Sequence, residues 1–137
     1  MRFLNKLQKQ YSARKPIVAD AYVNQVLDSY LETMMWADGR DSDTDEELEG
    51  DFSEELKKES EADVKKFLKL VDDQGIDLTK YKTSRIGHDF WLTRNGHGAG
   101  FWDGDYEEED GESLTKISKS FREKWVYLGD DGLIYLG

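Results

Sequence analysis

Apolar residues recur at three- and four-residue steps between residues 17 and 36, at Val18, Tyr22, Val26, Leu27, Tyr30, Leu31 and Met34. That spacing predicts an amphipathic helix, and Pro16 suits its first turn, where a missing N–H costs nothing. A second stripe, Leu56, Val64, Phe67, Leu68 and Val71, predicts a helix over 53–74. Ser53 is its expected N-cap, Glu54 and Glu55 complement the dipole, and Glu54–Lys58 and Glu61–Lys65 have the favourable i,i+4 order. Gly75 fits a left-handed position just past its end, with Ile76 placed to touch Val71. A third helix is expected over 113–124, with Ser113 capping and Leu114, Ile117 and Phe121 facing inward.

The pattern changes to that of strands in two places. Residues 88–94 and 97–102 flank Asn95-Gly96, a pair suited to the positive φ of a hairpin turn. In that register Phe90 faces Phe101, Leu92 faces Ala99, and Trp91 lies opposite Gly100. Residues 125–136 read as a second hairpin around Asp130-Asp131-Gly132, pairing Leu128 with Ile134 and Val126 with Leu136. Trp125, Tyr127 and Tyr135 then share the opposite face. The expected fold class is α+β: helices packed on a small, mostly antiparallel sheet whose two hairpins flank a helix, ββαββ. Residues 17–137 form the single domain, preceded by a basic arm over 1–16. That arm holds Arg2, Lys6, Lys9, Arg14 and Lys15; Phe3, Leu4, Leu7 and Tyr11 would give it one apolar side if helical.

Charge divides the chain more sharply than hydropathy does. There are 30 acidic and 19 basic residues, a net of −11. Such a balance argues against direct nucleic-acid binding and against anionic membranes, and favours a basic partner. Aromatics at 12% exceed what disordered chains carry, so acidity here decorates a folded domain. Two loops, 37–51 and 103–112, hold most of the excess, and like charges this dense predict mobility. The absence of cysteine excludes disulfides and thiolate metal sites. No apolar run suits a membrane span or a signal h-region, and the expected compartment is the cytoplasm.

The most distinctive run is Gly87-His88-Asp89-Phe90-Trp91-Leu92-Thr93-Arg94-Asn95-Gly96-His97-Gly98-Ala99-Gly100-Phe101-Trp102-Asp103, which holds both histidines. It resembles the signature of a widespread group of small, acidic, phage-encoded proteins. The likeness extends to Tyr30–Trp36 and to Gly129–Tyr135. The resemblance implies a phage origin and a shared fold, and it carries over no catalytic residues. Many members have Arg where this chain has Gly104.

A His-Asp pair suits general base chemistry. The expected hairpin, however, puts His88 and His97 about 15–20 Å apart, too far to share a metal or a proton relay. Asp41-x-Asp43-x-Asp45 imitates a calcium loop, but Glu46 and Phe52 stand where Gly and Glu are required. The loop from Asp105 fails likewise, at Asp110 and Lys116. No P-loop or dinucleotide fingerprint occurs. No cofactor or metal is expected.

Dense carboxylates imitate the phosphate rows of DNA and fit a basic cleft. The leading expectation is therefore a non-enzymatic accessory protein that binds and inhibits a host nucleic-acid-binding protein of defence or replication. Its binding residues would be Asp41, Asp43, Asp45, Glu46, Glu47, Glu49, Glu107, Glu108, Glu109 and Asp110, with Trp91 and Trp102 as aromatic anchors. The alternatives are an enzyme or metal-dependent factor using the His88–Asp103 hairpin, and an assembly protein forming a homodimer through its aromatic sheet face.

Overall fold

A computed structural model describes residues 19–137. The basic arm expected over 1–16 lies outside the described residues, as do Pro16 and Val18. Among the described residues four helices dominate: α1 (Asp20–Asp38), α2 (Glu54–Asp73), α3 (Thr83–Arg94) and α4 (Glu108–Lys119). A short 3₁₀ turn, Leu78–Lys80, precedes α3. Strands β1 (Val126–Leu128) and β2 (Ile134–Leu136) close the chain as an antiparallel pair. The class is α+β, with helices predominating.

The first two helices form for the reasons the sequence supplies. α1 buries Val23, Val26, Tyr30, Thr33 and Met34 along one stripe. Ser53 Oγ accepts from the Leu56 amide at 3.0 Å and caps α2, and Glu61–Lys65 pair at 2.7 Å. Glu54 pairs with Lys57 one turn on, at 3.3 Å. Gly75 takes φ 75°; its amide and that of Ile76 donate to Asp72 and Val71, the Schellman pattern that satisfies a helix end.

The ββαββ arrangement is not present. Residues 88–94, expected as a strand, are helical within α3, and 97–102 form turns. Asn95-Gly96 terminates a helix: Gly96 has φ 71°, and the amides of Gly96 and His97 donate to Thr93 and Leu92. Burial of Ile86, Phe90, Trp91 and Leu92 around much of α3 blurs the one-sided periodicity by which a surface helix is recognised. α4 starts at Glu108 rather than Ser113, because Glu108, Glu109 and Asp110 suit the positive end of a helix dipole. The acidic stretch 103–112 is therefore half helix.

The C-terminal hairpin has the expected register, Val126↔Leu136 and Leu128↔Ile134. Gly132 supplies the left-handed position at φ 82°. The outer edge of β2 is covered by residues 51–53, through Ile134 N–H to Asp51 O and Ser53 N–H to Ile134 O.

The core lies where α1, α2 and α3 meet, with α4 and the hairpin closing it. Phe67 stacks on Phe90 at 4.1 Å, and Tyr30 meets Phe90 and Trp91 at 5.2 and 5.3 Å. Among the described residues no helix is long and apolar enough to cross a membrane.

Candidate functional site

The signature run is a structural hub. Asp89 is buried and accepts from Tyr106 Oη at 2.7 Å, tying α3 to the loop before α4. Thr93 Oγ1 accepts from the Phe101 amide, and Asn95 Oδ1 from the Lys124 amide, at 3.2 and 2.8 Å. Arg94, also buried, reaches Asp63 on α2, Tyr30 on α1 and the Arg122 carbonyl. Trp91 is fully buried, and its Nε1–H donates to Asp38 Oδ2 at 2.6 Å. The anchor role expected of Trp91 is thereby corrected: a partner cannot reach an indole that lies in the core.

The histidines follow from the same geometry. His88 lies on α3, with Nδ1 3.4 Å from Asp89, and packs at a 30° tilt against Trp36, 5.8 Å between centroids. His97 follows the helix end and places Nε2 2.8 Å from Asp38. Each ring has its own carboxylate, and α1 is reached by His88 through Trp36 and by His97 through Asp38. Among the described residues no group of three or more His, Cys, Asp or Glu side chains has metal-binding geometry.

Burial acts strongly on three phenols, two of them bonded to this hub. Desolvation pushes Tyr22 up to about 12 and raises Tyr30 and Tyr106 further; for Tyr106 the Asp89 carboxylate adds to the effect. Desolvation also raises Asp89, against the lowering effect of its bond from Tyr106. The folded state thus holds phenol protons that the unfolded chain releases above its pKa of about 10, and stability falls as pH rises from there towards the folded values. In an alkaline titration these three phenols should ionise together with loss of helical circular dichroism. Ionisation of Tyr106 near its ordinary value, with the fold intact, would contradict its bond to Asp89.

The two acidic stretches are organised by their own side chains. Asp41 Oδ1 accepts from the amides of Asp43 and Thr44 at 2.8 and 3.0 Å, and these bonds hold its carboxyl below the usual range. Arg40 bonds the Asp45 carbonyl at 2.8 Å and pairs with Glu47 at 3.8 Å, and Leu48 N–H returns to Gly39 O. The loop expected to be mobile is thus a hydrogen-bonded turn. Asp43, Asp45, Glu46 and Glu49 project outward from it, exposed. In the second stretch Glu107 and Asp110 share Lys80, at 3.0 and 3.4 Å, and Asp110 accepts from Tyr81 Oη at 2.6 Å. Asp105 pairs with Arg85. Glu108 and Glu109 stand exposed in the first turn of α4.

A groove of about 690 Å³ opens between residues 101–106 and α4. Phe101, Trp102 and Tyr106 give it an aromatic wall; Glu107, Glu108, Glu112 and Lys116 line the helix side. Gly111 lets the helix approach, since a Cβ there would sit 2.7 Å from the Phe101 carbonyl. Of the residues singled out from sequence, Trp102, Glu107 and Glu108 meet here, whereas the 41–49 group belongs to the other turn. Phe101, Tyr106 and Glu112 were not anticipated. The signal for Glu112 is the i,i+4 row Glu108, Glu112, Lys116, visible only once the helix is started at 108.

Compared with known proteins, the chain matches no family model, no curated protein and no solved structure. The chemistry of the site therefore rests on its own residues. An aromatic wall facing carboxylates favours an organic cation over an anion or a neutral ligand.

Proposed function

We propose that this protein is a non-enzymatic interaction protein that binds, and by occupancy inhibits, a basic nucleic-acid-binding protein of an infected host, in the cytoplasm. The observation that supports this reading is that both acidic stretches are folded. Asp41 builds a turn under Asp43, Asp45 and Glu46, and the α4 backbone carries Glu108 and Glu109. Charges held in place lose less conformational freedom on docking than charges on a loose tail. The described residues hold 30 acidic against 14 basic side chains, which suits steering towards a cationic surface. The resemblance to small acidic phage proteins supplies the host setting.

The test is capture from bacterial lysate with wild type and with a variant neutralised at 41–49 and 105–110. Wild type should retain a nucleic-acid-binding protein that competing duplex DNA releases. Its affinity should fall roughly tenfold or more on raising salt from low to physiological strength. The neutralised variant should retain none. Salt-insensitive retention, or equal retention by both proteins, would overturn the reading.

A further inference from the structure

We propose that the groove between residues 101–106 and α4 receives one lysine or arginine side chain of the partner, with the Trp102 indole as its platform and Lys119 as the cation it displaces. This deepens the basic-partner reading and rests on it.

The groove volume, about 690 Å³, exceeds what one alkyl stem and its cationic head require. Phe101 and Tyr106 are buried and fix the depth, whereas Trp102 is 45% exposed and lines the groove at its rim. Glu108 and Glu112 lie one helical turn apart on the helix side of the groove, so a cation entering it meets carboxylates from α4. Glu107 contributes less, because Lys80 already holds it at 3.0 Å. Lys116 offsets one further charge and sets the groove against a second basic group entering with the first.

The ring already carries a cation in the free protein: Lys119 Nζ lies 5.8 Å from the Trp102 centroid. Lys119 is exposed and in the last turn of α4, where no described carboxylate pairs with it. Exposed cation–π contacts are weak, and a flexible lysine leaves one readily. Lys119 therefore competes with the incoming side chain for the same platform. An aromatic wall also selects against a hydrated metal ion, which needs oxygen ligands on several sides.

The test uses the full chain, isotope-labelled, titrated with an oligolysine and an oligoarginine peptide while the Trp102 indole N–H resonance is followed. Trp102→Leu, and Glu108→Gln with Glu112→Gln, should weaken binding roughly three- to tenfold. Lys119→Gln should strengthen it, and more than Lys57→Gln, which removes the same charge from α2. Because one variant gains while the others lose, damage to the fold cannot imitate the result. If oligolysine binds in a salt-dependent way but Trp102→Leu and Lys119→Gln match wild type and the Lys57→Gln control, the groove assignment is overturned and the basic-partner reading stands. If neither peptide binds even at low salt, both are overturned.

Discussion

Replacement of Arg94 by Met should lower the unfolding free energy by about 3–5 kcal/mol, measured by equilibrium urea denaturation. Arg94 is 4% exposed, and its guanidinium serves three other parts of the chain at once. Nη1 bonds Asp63 on α2 at 2.7 Å and Tyr30 Oη on α1 at 3.0 Å, while Nε and Nη2 both donate to the Arg122 carbonyl beyond α4. Phe90 and Phe121 lie 5.8 and 5.3 Å from it and exclude water. Met matches much of the volume but none of the donors. It would leave a carbonyl and a phenol without a partner, and Asp63 without its cation. Asp63 is partly exposed and recovers some hydration, so Asp63→Asn alone should cost less than Arg94→Met. Arg94→Lys should also fall short of wild type, because an ammonium lacks the planar fork that spans these acceptors. A loss under about 1 kcal/mol for Arg94→Met would show that the three acceptors find other partners.

Arg94 also shows how the sequence misleads. In the chain it stands beside His88, Asp89, Asn95 and His97, and the group resembles a polar active site. Every one of these side chains points to a structural partner: Asp63, Asp89, Tyr106, the Lys124 amide or Asp38. Polar residues on a buried helix and at its end must find partners, and here Asp89, Arg94, Asn95 and His97 find them across elements. Asp63, 31 residues from Arg94, carries no local mark of that pairing.

The elements that are legible are those whose evidence is local. Ser53, Glu61–Lys65 and Gly75 act within a few residues of where they stand, and α2 follows from them. The last hairpin follows from Asp131-Gly132 and the alternation on either side. Gly75 and Gly96 close their helices with the same pair of hydrogen bonds, yet Gly96 suggests a hairpin. Both structures need a left-handed glycine, and the preceding residues decide between them. Before Gly75 the apolar stripe has a long exposed polar back; before Gly96 the helix is buried on most sides and keeps Ser84, Arg85 and His88 towards solvent. The groove is hidden for a related reason. Its acidic wall resembles a loop until the helix dipole is given weight over like-charge repulsion at Glu108, Glu109 and Asp110.

Gly87→Ala should destabilise the protein by about 3 kcal/mol, although the substitution favours a helix in isolation. Ala exceeds Gly by about 1 kcal/mol in helix propensity, so the packing cost must outweigh that gain. Gly87 lies on α3 where it crosses α1. An added Cβ would stand 2.7 Å from the Tyr30 amide nitrogen and closer still to the Val26 carbonyl and Ser29 Oγ. Two of those three atoms are backbone, so no rotamer relieves the clash. Ser29 is held as well, its one hydroxyl proton shared between Val26 O at 3.0 Å and Thr83 O at 3.1 Å. The helices would have to separate, and the separation would loosen Tyr30 against Phe90 and Trp91. Gly98→Ala is the matched control, because nothing lies within 4 Å of a Cβ there. Adding Ser29→Ala should not rescue Gly87→Ala, since the Val26 carbonyl remains. If urea midpoints for Gly87→Ala and Gly98→Ala coincide, the close crossing of α1 and α3 is not what requires the glycine. If Ser29→Ala restores stability, a side chain rather than the α1 backbone sets the limit.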